Sequence, residues 1–94
     1  MAEPSKVTSD TFKVIEIIYN DTEFSVALGI WKNDTKHIAM RWNGTGEEIG
    51  FPQTFGRSTW LLIPQDLSVI FTKSLLELNN VDKRIIYQAL SELH

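Results

Sequence analysis

Apolar and polar positions alternate with a period of two from residue 12 to residue 42, and recur every three to four residues from residue 65 onward. The first period predicts strands and the second predicts helices. Residues 12–19 divide into two faces, Phe12, Val14, Glu16 and Ile18 against Lys13, Ile15, Ile17 and Tyr19. Both faces carry apolar side chains, so this strand is expected to be buried on much of both sides or to lie at a subunit contact. Residues 24–31 alternate more cleanly: Phe24, Val26, Leu28 and Ile30 form a core face, and Ser25, Ala27, Gly29 and Trp31 the other. In residues 36–42, Ile38, Met40 and Trp42 oppose His37, Ala39 and Arg41. Asn20-Asp21-Thr22-Glu23 and Lys32-Asn33-Asp34-Thr35 supply the turns between these strands.

If the Ile38 face continues the Phe24 face, the far side of the sheet carries Ser25, Ala27, Gly29, Trp31, His37, Ala39 and Arg41. That surface is small and mostly polar. It reads either as the ordinary solvent face of an antiparallel sheet or as a face that another layer or a ligand approaches closely.

Residues 43–57 hold four of the five glycines together with Pro52, a punctuation that suits a long loop anchored by Ile49, Phe51 and Phe55. Residues 58–63 read as a fourth strand, stopped by Pro64, which favours a first helical turn. Leu67, Ile70, Phe71, Leu75 and Leu78 then mark one stripe of a helix over residues 65–78. Asn79-Asn80 breaks it, Asn79 with Asp82 resembles a capping box, and a second helix is expected over residues 81–93. The sum is an α+β fold: a four-stranded antiparallel sheet in β-β-β-β-α-α order, with the helices packed on one face or at a dimer interface. Residues 1–10 are expected to be a flexible arm, and residues 11–94 a single domain.

Composition narrows the chemistry. The chain has no cysteine, which removes disulfides, thiolate nucleophiles and thiolate metal sites. It shows neither a signal-peptide pattern nor an apolar run of about eighteen residues, so the expectation is a cytoplasmic protein that does not enter a membrane. The Asn20, Asn33 and Asn43 sequons then read as turns. A net charge of −3 argues against a protein that grips duplex DNA through phosphate neutralisation, while leaving room for a local basic strip.

Catalysis finds little support. His37 is a lone base, His94 is the final residue, and no serine sits in a nucleophile elbow. The glycines match no phosphate-loop spacing, and Asp34, Glu47 and Glu48 would form a weak oxygen site at best. We therefore expect a protein that is not an enzyme and has no cofactor or metal. What remains is a set of rings and cations. Trp31, Trp42, Phe51, Phe55 and Trp60 could stack on bases while Lys32, Lys36, Arg41 and Arg57 meet phosphates. At least one of Trp42 and Trp60 is expected in the core.

The order of elements adds a family resemblance. Trp31-Lys32-Asn33-Asp34 at the end of a hairpin strand, Met40-Arg41-Trp42 closing the third, and Gly56 leading to Leu61-Leu62-Ile63-Pro64 and a helix to Leu78 resemble the transcriptional positive-cofactor-4 family and its bacterial relatives. The resemblance spans about residues 12–78. It implies a curved antiparallel sheet, dimerisation through the helix, and single-stranded nucleic acid on the sheet face, with Lys13, Trp31, Lys36, Arg41 and Arg57 in contact. The acidic charge, the long loop and the second helix depart from that pattern.

Two functions stay open at this point. One is a non-catalytic module for single-stranded nucleic acid. The other is a protein-interaction or assembly domain that uses the 43–57 loop and a helix surface, since Trp, Phe and Arg also dominate interface hot spots. The candidate contacts are Lys13, Trp31, Lys36, Arg41, Phe51, Gln53, Phe55 and Arg57. A homodimer is compatible with either.

Overall fold

The structure is a computed structural model, and it describes residues 3–8, 11–32 and 35–93. The chain runs through β1 (Phe12–Asn20), β2 (Phe24–Trp31), β3 (Thr35–Trp42), β4 (Gln53–Thr54), β5 (Arg57–Ser58), β6 (Leu61–Leu62), α1 (Gln65–Ser74) and α2 (Lys83–Ser91). Strands β1, β2, β3 and β6 form a four-stranded antiparallel sheet in that order, and β4 with β5 makes a separate hairpin. With two helices after the sheet, the fold is α+β.

Strands β2 and β3 pair without interruption from Phe24 opposite Trp42 to Trp31 opposite Thr35, as their clean alternation predicts. Strand β1 does not keep a strict period of two. Its register shifts between Val14 and Glu16 and again between Ile17 and Tyr19. Each bulge inserts a residue and flips the side chains that follow. Phe12, Val14 and Ile17 thus join one side of the sheet, whereas Ile18 and Tyr19 join the other. The two apolar faces expected of this strand exist, but their membership is set by the bulges.

The first side holds the main core. Ile18, Val26, Leu28, Ile38 and Ile63 cluster with Leu75, Ile86 and Ala89 from the helical half of the chain. Each fully buried aliphatic side chain contributes about 1.5–3 kcal/mol, so this cluster dominates stability. Phe71 and Leu75 reach it from α1 and the short 3-10 turn after it, and this pair sets the rotation of the helix. Ser68 and Thr72 turn inward as a result, while Leu67 and Ile70, expected in the buried stripe, stand exposed. The cap of α2 also differs from expectation. Asn80 adopts a left-handed backbone, and Asp82 itself is the N-cap, accepting a 3.0 Å hydrogen bond from the Arg84 amide.

The second side is neither solvent-exposed nor open to a ligand. Phe12, Ala27 and Ala39 form its centre, with Val14, Ile17, Trp31, Trp60 and Leu62 packed around them. The Phe12 and Trp60 rings lie 6.0 Å apart. A Cβ on Gly29 would overlap the Phe12 ring, so the small residues of this face serve a second layer built by the chain itself. The amino-terminal segment completes that layer. Pro4 and Val7 are buried, and the Trp60 indole Nε1 donates to the Val7 carbonyl. Residues 3–8 of the expected flexible arm are therefore seated on the sheet. His37 is buried here too, edge-on to Trp31 at 5.3 Å, with Nδ1 3.2 Å from the Thr35 carbonyl. The remaining arm positions 1, 2, 9 and 10, the Asn33-Asp34 turn and His94 lie outside the described residues. Among the described residues, no helix is long and apolar enough to cross a membrane.

Candidate functional site

The 43–59 excursion is fixed from beneath by a side chain that the sequence offers to a ligand. Arg41 is 1% exposed. Its Nη1 donates to the carbonyls of Pro52 and Thr59, and its Nη2 to that of Ile49. The planar fork of a guanidinium suits three acceptors spread over eleven residues of chain in a way that a lysine point charge does not. Ser58 Oγ adds a 3.2 Å bond to the same Ile49 carbonyl. Burial lowers the pKa of the Arg41 guanidinium from its ordinary value, yet arginine stays protonated in a protein.

Asn43 anchors the other end of the loop base. It is buried, accepts from Ser25 Oγ at 2.8 Å, and donates through Nδ2 to Asn20 Oδ1 and the Thr22 carbonyl, both at 3.1 Å. Its amide donates to the Glu23 carbonyl at 2.8 Å. The β1–β2 turn is shaped in turn by Asp21 Oδ1, which accepts from the Glu23 and Phe24 amides at 2.9 Å. Four short polar side chains, Asn20, Asp21, Ser25 and Asn43, thereby hold Glu23 beside the loop.

Between these anchors, Trp42 and Phe51 exchange both backbone bonds, Trp42 N to Phe51 O at 2.7 Å and Phe51 N to Trp42 O at 3.0 Å. Directly opposed residues of an antiparallel pair project to the same face. The two rings extend an aromatic row that starts at the margin of the main core with the partly buried Tyr19 and Phe24: these two lie 5.2 Å apart, and Phe24 meets Trp42 at 5.6 Å in an edge arrangement. Along the row burial decreases, and Trp42 and Phe51 are 50% and 60% exposed.

The exposed end of the row opens into a cleft of about 650 Å³. Ile49 and the two rings supply its apolar lining, and Glu23, Glu47, Glu48 and Gln53 its polar lining. Gln53 is held by a 2.8 Å bond from Nε2 to the Gly50 carbonyl. The volume falls in the range, about 300–1,000 Å³, of pockets that take a ligand or an anchoring side chain. Neither Lys nor Arg lines it. Among the described residues, no group of His, Asp and Glu could hold a metal ion.

The candidate contacts read from the sequence do not converge. Phe51 and Gln53 line the cleft. Phe55 stands fully exposed at the tip of the β4–β5 hairpin, with Arg57 exposed on β5. Lys13 is exposed on β1, the edge strand at the far side of the sheet. Lys36 forms a 2.8 Å ion pair with Glu92 near the end of α2. Trp31 is half-buried in the second layer, with Lys32 Nζ 4.4 Å over its ring. Arg41 is enclosed and offers nothing to solvent. Of the two tryptophans expected to share core duty, Trp60 is packed and Trp42 is half-exposed.

Comparison with family models, curated proteins and solved structures finds no match.

The candidate contacts left out Trp42, which the sequence offered both as a stacking ring and as a core residue, and sequence reasoning did not bring Glu23 and the Glu47-Glu48 pair together as cleft walls. The available signal was the recurrence of acid on both sides of Trp42 in the chain, at Glu23 and at Glu47-Glu48. Their meeting depends on Asn43, whose bonds bring the β1–β2 turn to the loop base.

The hairpin tip carries a second notable feature. Phe55 and Gly56 both have positive φ, +50° and +76°, as a two-residue type I′ turn requires. Asn is favoured at the first of these positions, and a bulky ring is not. Phe55→Asn is expected to raise stability by about 0.5–1 kcal/mol, read as a rise in Tm of a few degrees. An unchanged or lower Tm would show that the ring is held by contacts in the folded state.

Proposed function

We propose that this protein is a non-catalytic binding module whose partner is a polypeptide, gripped by the 43–57 loop. The observation that carries this reading is the exposure of three rings, Phe51 and Phe55 on the loop and Trp42 at the end of β3 beside it, over a backbone fixed from beneath by Arg41 and Asn43. Exposed aromatic side chains on a rigid base are what interface hot spots are made of, because little ordering entropy opposes their burial. Phe55 adds to this, since a strained turn that favours Asn yet presents a bare phenyl ring points to a role outside folding.

Single-stranded nucleic acid is the competing ligand, and the resemblance to the positive-cofactor-4 family would put it on the sheet. In this chain one side of the sheet packs in the main cluster with residues of the helical half, and the other carries Trp60 and the amino-terminal segment. Arg41 is enclosed, Lys36 is paired, and the cleft beside the exposed rings is lined by carboxylates. Phosphate-dominated affinity has little to build on there.

Selection of a displayed random-peptide library against the purified protein, beside titration of labelled single-stranded DNA and RNA at low and near-physiological salt, tests the proposal. Enriched peptides should bind the wild-type protein and lose at least about tenfold in affinity against Trp42→Ala. Saturable, salt-dependent oligonucleotide binding with no enriched peptide would overturn it.

A further inference from the structure

We infer that the cleft lined by Trp42 and Phe51 receives a cationic side chain, lysine or arginine, from a basic segment of the partner; this rests on the polypeptide reading above. Three observations converge on positive charge. The first is the wall: Glu23 from the β1–β2 turn and Glu47 with Glu48 from the loop all line one cleft, with no Lys, Arg or His among its lining residues. The second is that these carboxylates lack cationic partners. Among the described residues, the ion pairs join Lys36 to Glu92 and Arg84 to Asp82, and neither involves the cleft.

The third is the pair of exposed rings. An aromatic face carries negative quadrupole charge and attracts an ammonium or guanidinium within about 6 Å of its centroid. Rings and carboxylates thus favour the same sign of charge and disfavour anions together. The chain already contains one such contact, Lys32 over Trp31 at 4.4 Å. Because the acids do not form a group that could hold a metal ion among the described residues, a compact divalent ion is the poorer fit. A side chain with an apolar stem and a charged head matches a site that has both rings and acids. The volume, about 650 Å³, is larger than one side chain fills and leaves space for the backbone on either side of it. The net charge of −3 adds a long-range attraction toward a basic segment.

The test uses the full chain and three short fluorescent Gly/Ser peptides that differ only in their central residues: Arg and Lys, Leu and Leu, or Glu and Glu. Binding is read by fluorescence anisotropy, with a single-stranded oligonucleotide of matched size alongside. The basic peptide should bind about tenfold or more tightly than the leucine peptide, and the acidic peptide should not bind. Phe51→Ala, at an exposed position, should weaken the basic peptide about tenfold without changing the charge of the cleft. Glu47→Gln with Glu48→Gln should weaken the basic peptide by a similar factor and leave the leucine peptide unchanged. Equal binding of the basic and leucine peptides would overturn the cation site while sparing the polypeptide function. So would undiminished basic-peptide binding by either variant. Binding of the oligonucleotide and of no peptide would overturn both.

Discussion

Arg41→Met is expected to release the 43–59 loop while the main cluster between the sheet and the helical half stays folded. The guanidinium donates to three backbone carbonyls, of Ile49, Pro52 and Thr59. A methionine fills part of the same volume and supplies no donor. The Thr59 carbonyl is left unpaired, at a cost of about 1–3 kcal/mol, whereas the Ile49 and Pro52 carbonyls keep Ser58 Oγ and the Thr59 amide and lose about 1 kcal/mol each at most. The expected loss is therefore about 2–4 kcal/mol, or a fall in Tm of roughly 10–20 °C for a domain of this size. Arg41→Lys should recover only part of it, because one ammonium cannot satisfy carbonyls from three stretches of chain. Hydrogen exchange separates this loop-specific effect from general destabilisation. The Trp42, Phe51 and Thr59 amides, which bond to Phe51, Trp42 and Pro52 carbonyls, should lose protection well before the amides of β2 and of β3 ahead of Trp42. A Tm within a degree or two of wild type in both variants would show that the guanidinium does not hold the loop.

Gly50→Ala should open the cleft, and Gly46→Ala should barely touch it. Both residues have positive φ, +83° and +56°, where an L side chain costs about 1–2 kcal/mol. They differ in their surroundings. A Cβ on Gly50 would overlap the Trp42 carbonyl oxygen and the Asn43 carbonyl carbon, whereas one on Gly46 meets nothing within 4 Å. The overlapped atoms are backbone, so they cannot rotate aside, and the Trp42 carbonyl is half of the bridge to Phe51. Gly50→Ala is thus expected to cost about 3 kcal/mol or more, to break that bridge, and to lose peptide binding in parallel. Gly46→Ala should cost about 1 kcal/mol with binding intact. Urea denaturation of the two variants side by side makes the comparison; equal costs would mean that Gly50 is required only for its φ.

These two outcomes bear on one design. The loop is rigid because Arg41, Asn43 and the Gly44–Gly50 contact fix its base, and rigidity lets exposed rings bind without a large ordering cost. A variant that loosens the base should therefore weaken binding even though it removes no contact with the ligand.

Much of the fold was legible because hydrophobic periodicity is a local property. The unbroken alternation of residues 24–31 and 36–42 predicted the two strands of the β2–β3 hairpin, and the three-to-four spacing after Pro64 predicted both helices. Where the prediction failed, the cause was a long-range partner. The two bulges of β1 moved Ile17 to the side of Phe12 and Val14 and put Ile18 with Tyr19 on the other, and the pull of Phe71 and Leu75 on the core rotated α1 so that Leu67 and Ile70 faced out. The far face of the sheet looked solvent-exposed or open to a ligand in the sequence because what covers it, Trp60 and the segment through Val7, lies far away in the chain.

The candidate site divides in the same way, most clearly at two adjacent residues. Alternation in β3 by itself determined that Arg41 and Trp42 point to opposite sides of the sheet. Which of them would meet solvent was decided only by the tertiary structure. Arg41 faces a side that the chain closes over with its own loop, and three carbonyls make an enclosed guanidinium stable there. Trp42 faces the side packed in the main cluster, but it sits at the end of the strand, beside Phe51, at the exposed end of the aromatic row. A strand's period assigns side chains to faces; only the packing of distant segments determines which part of each face is covered.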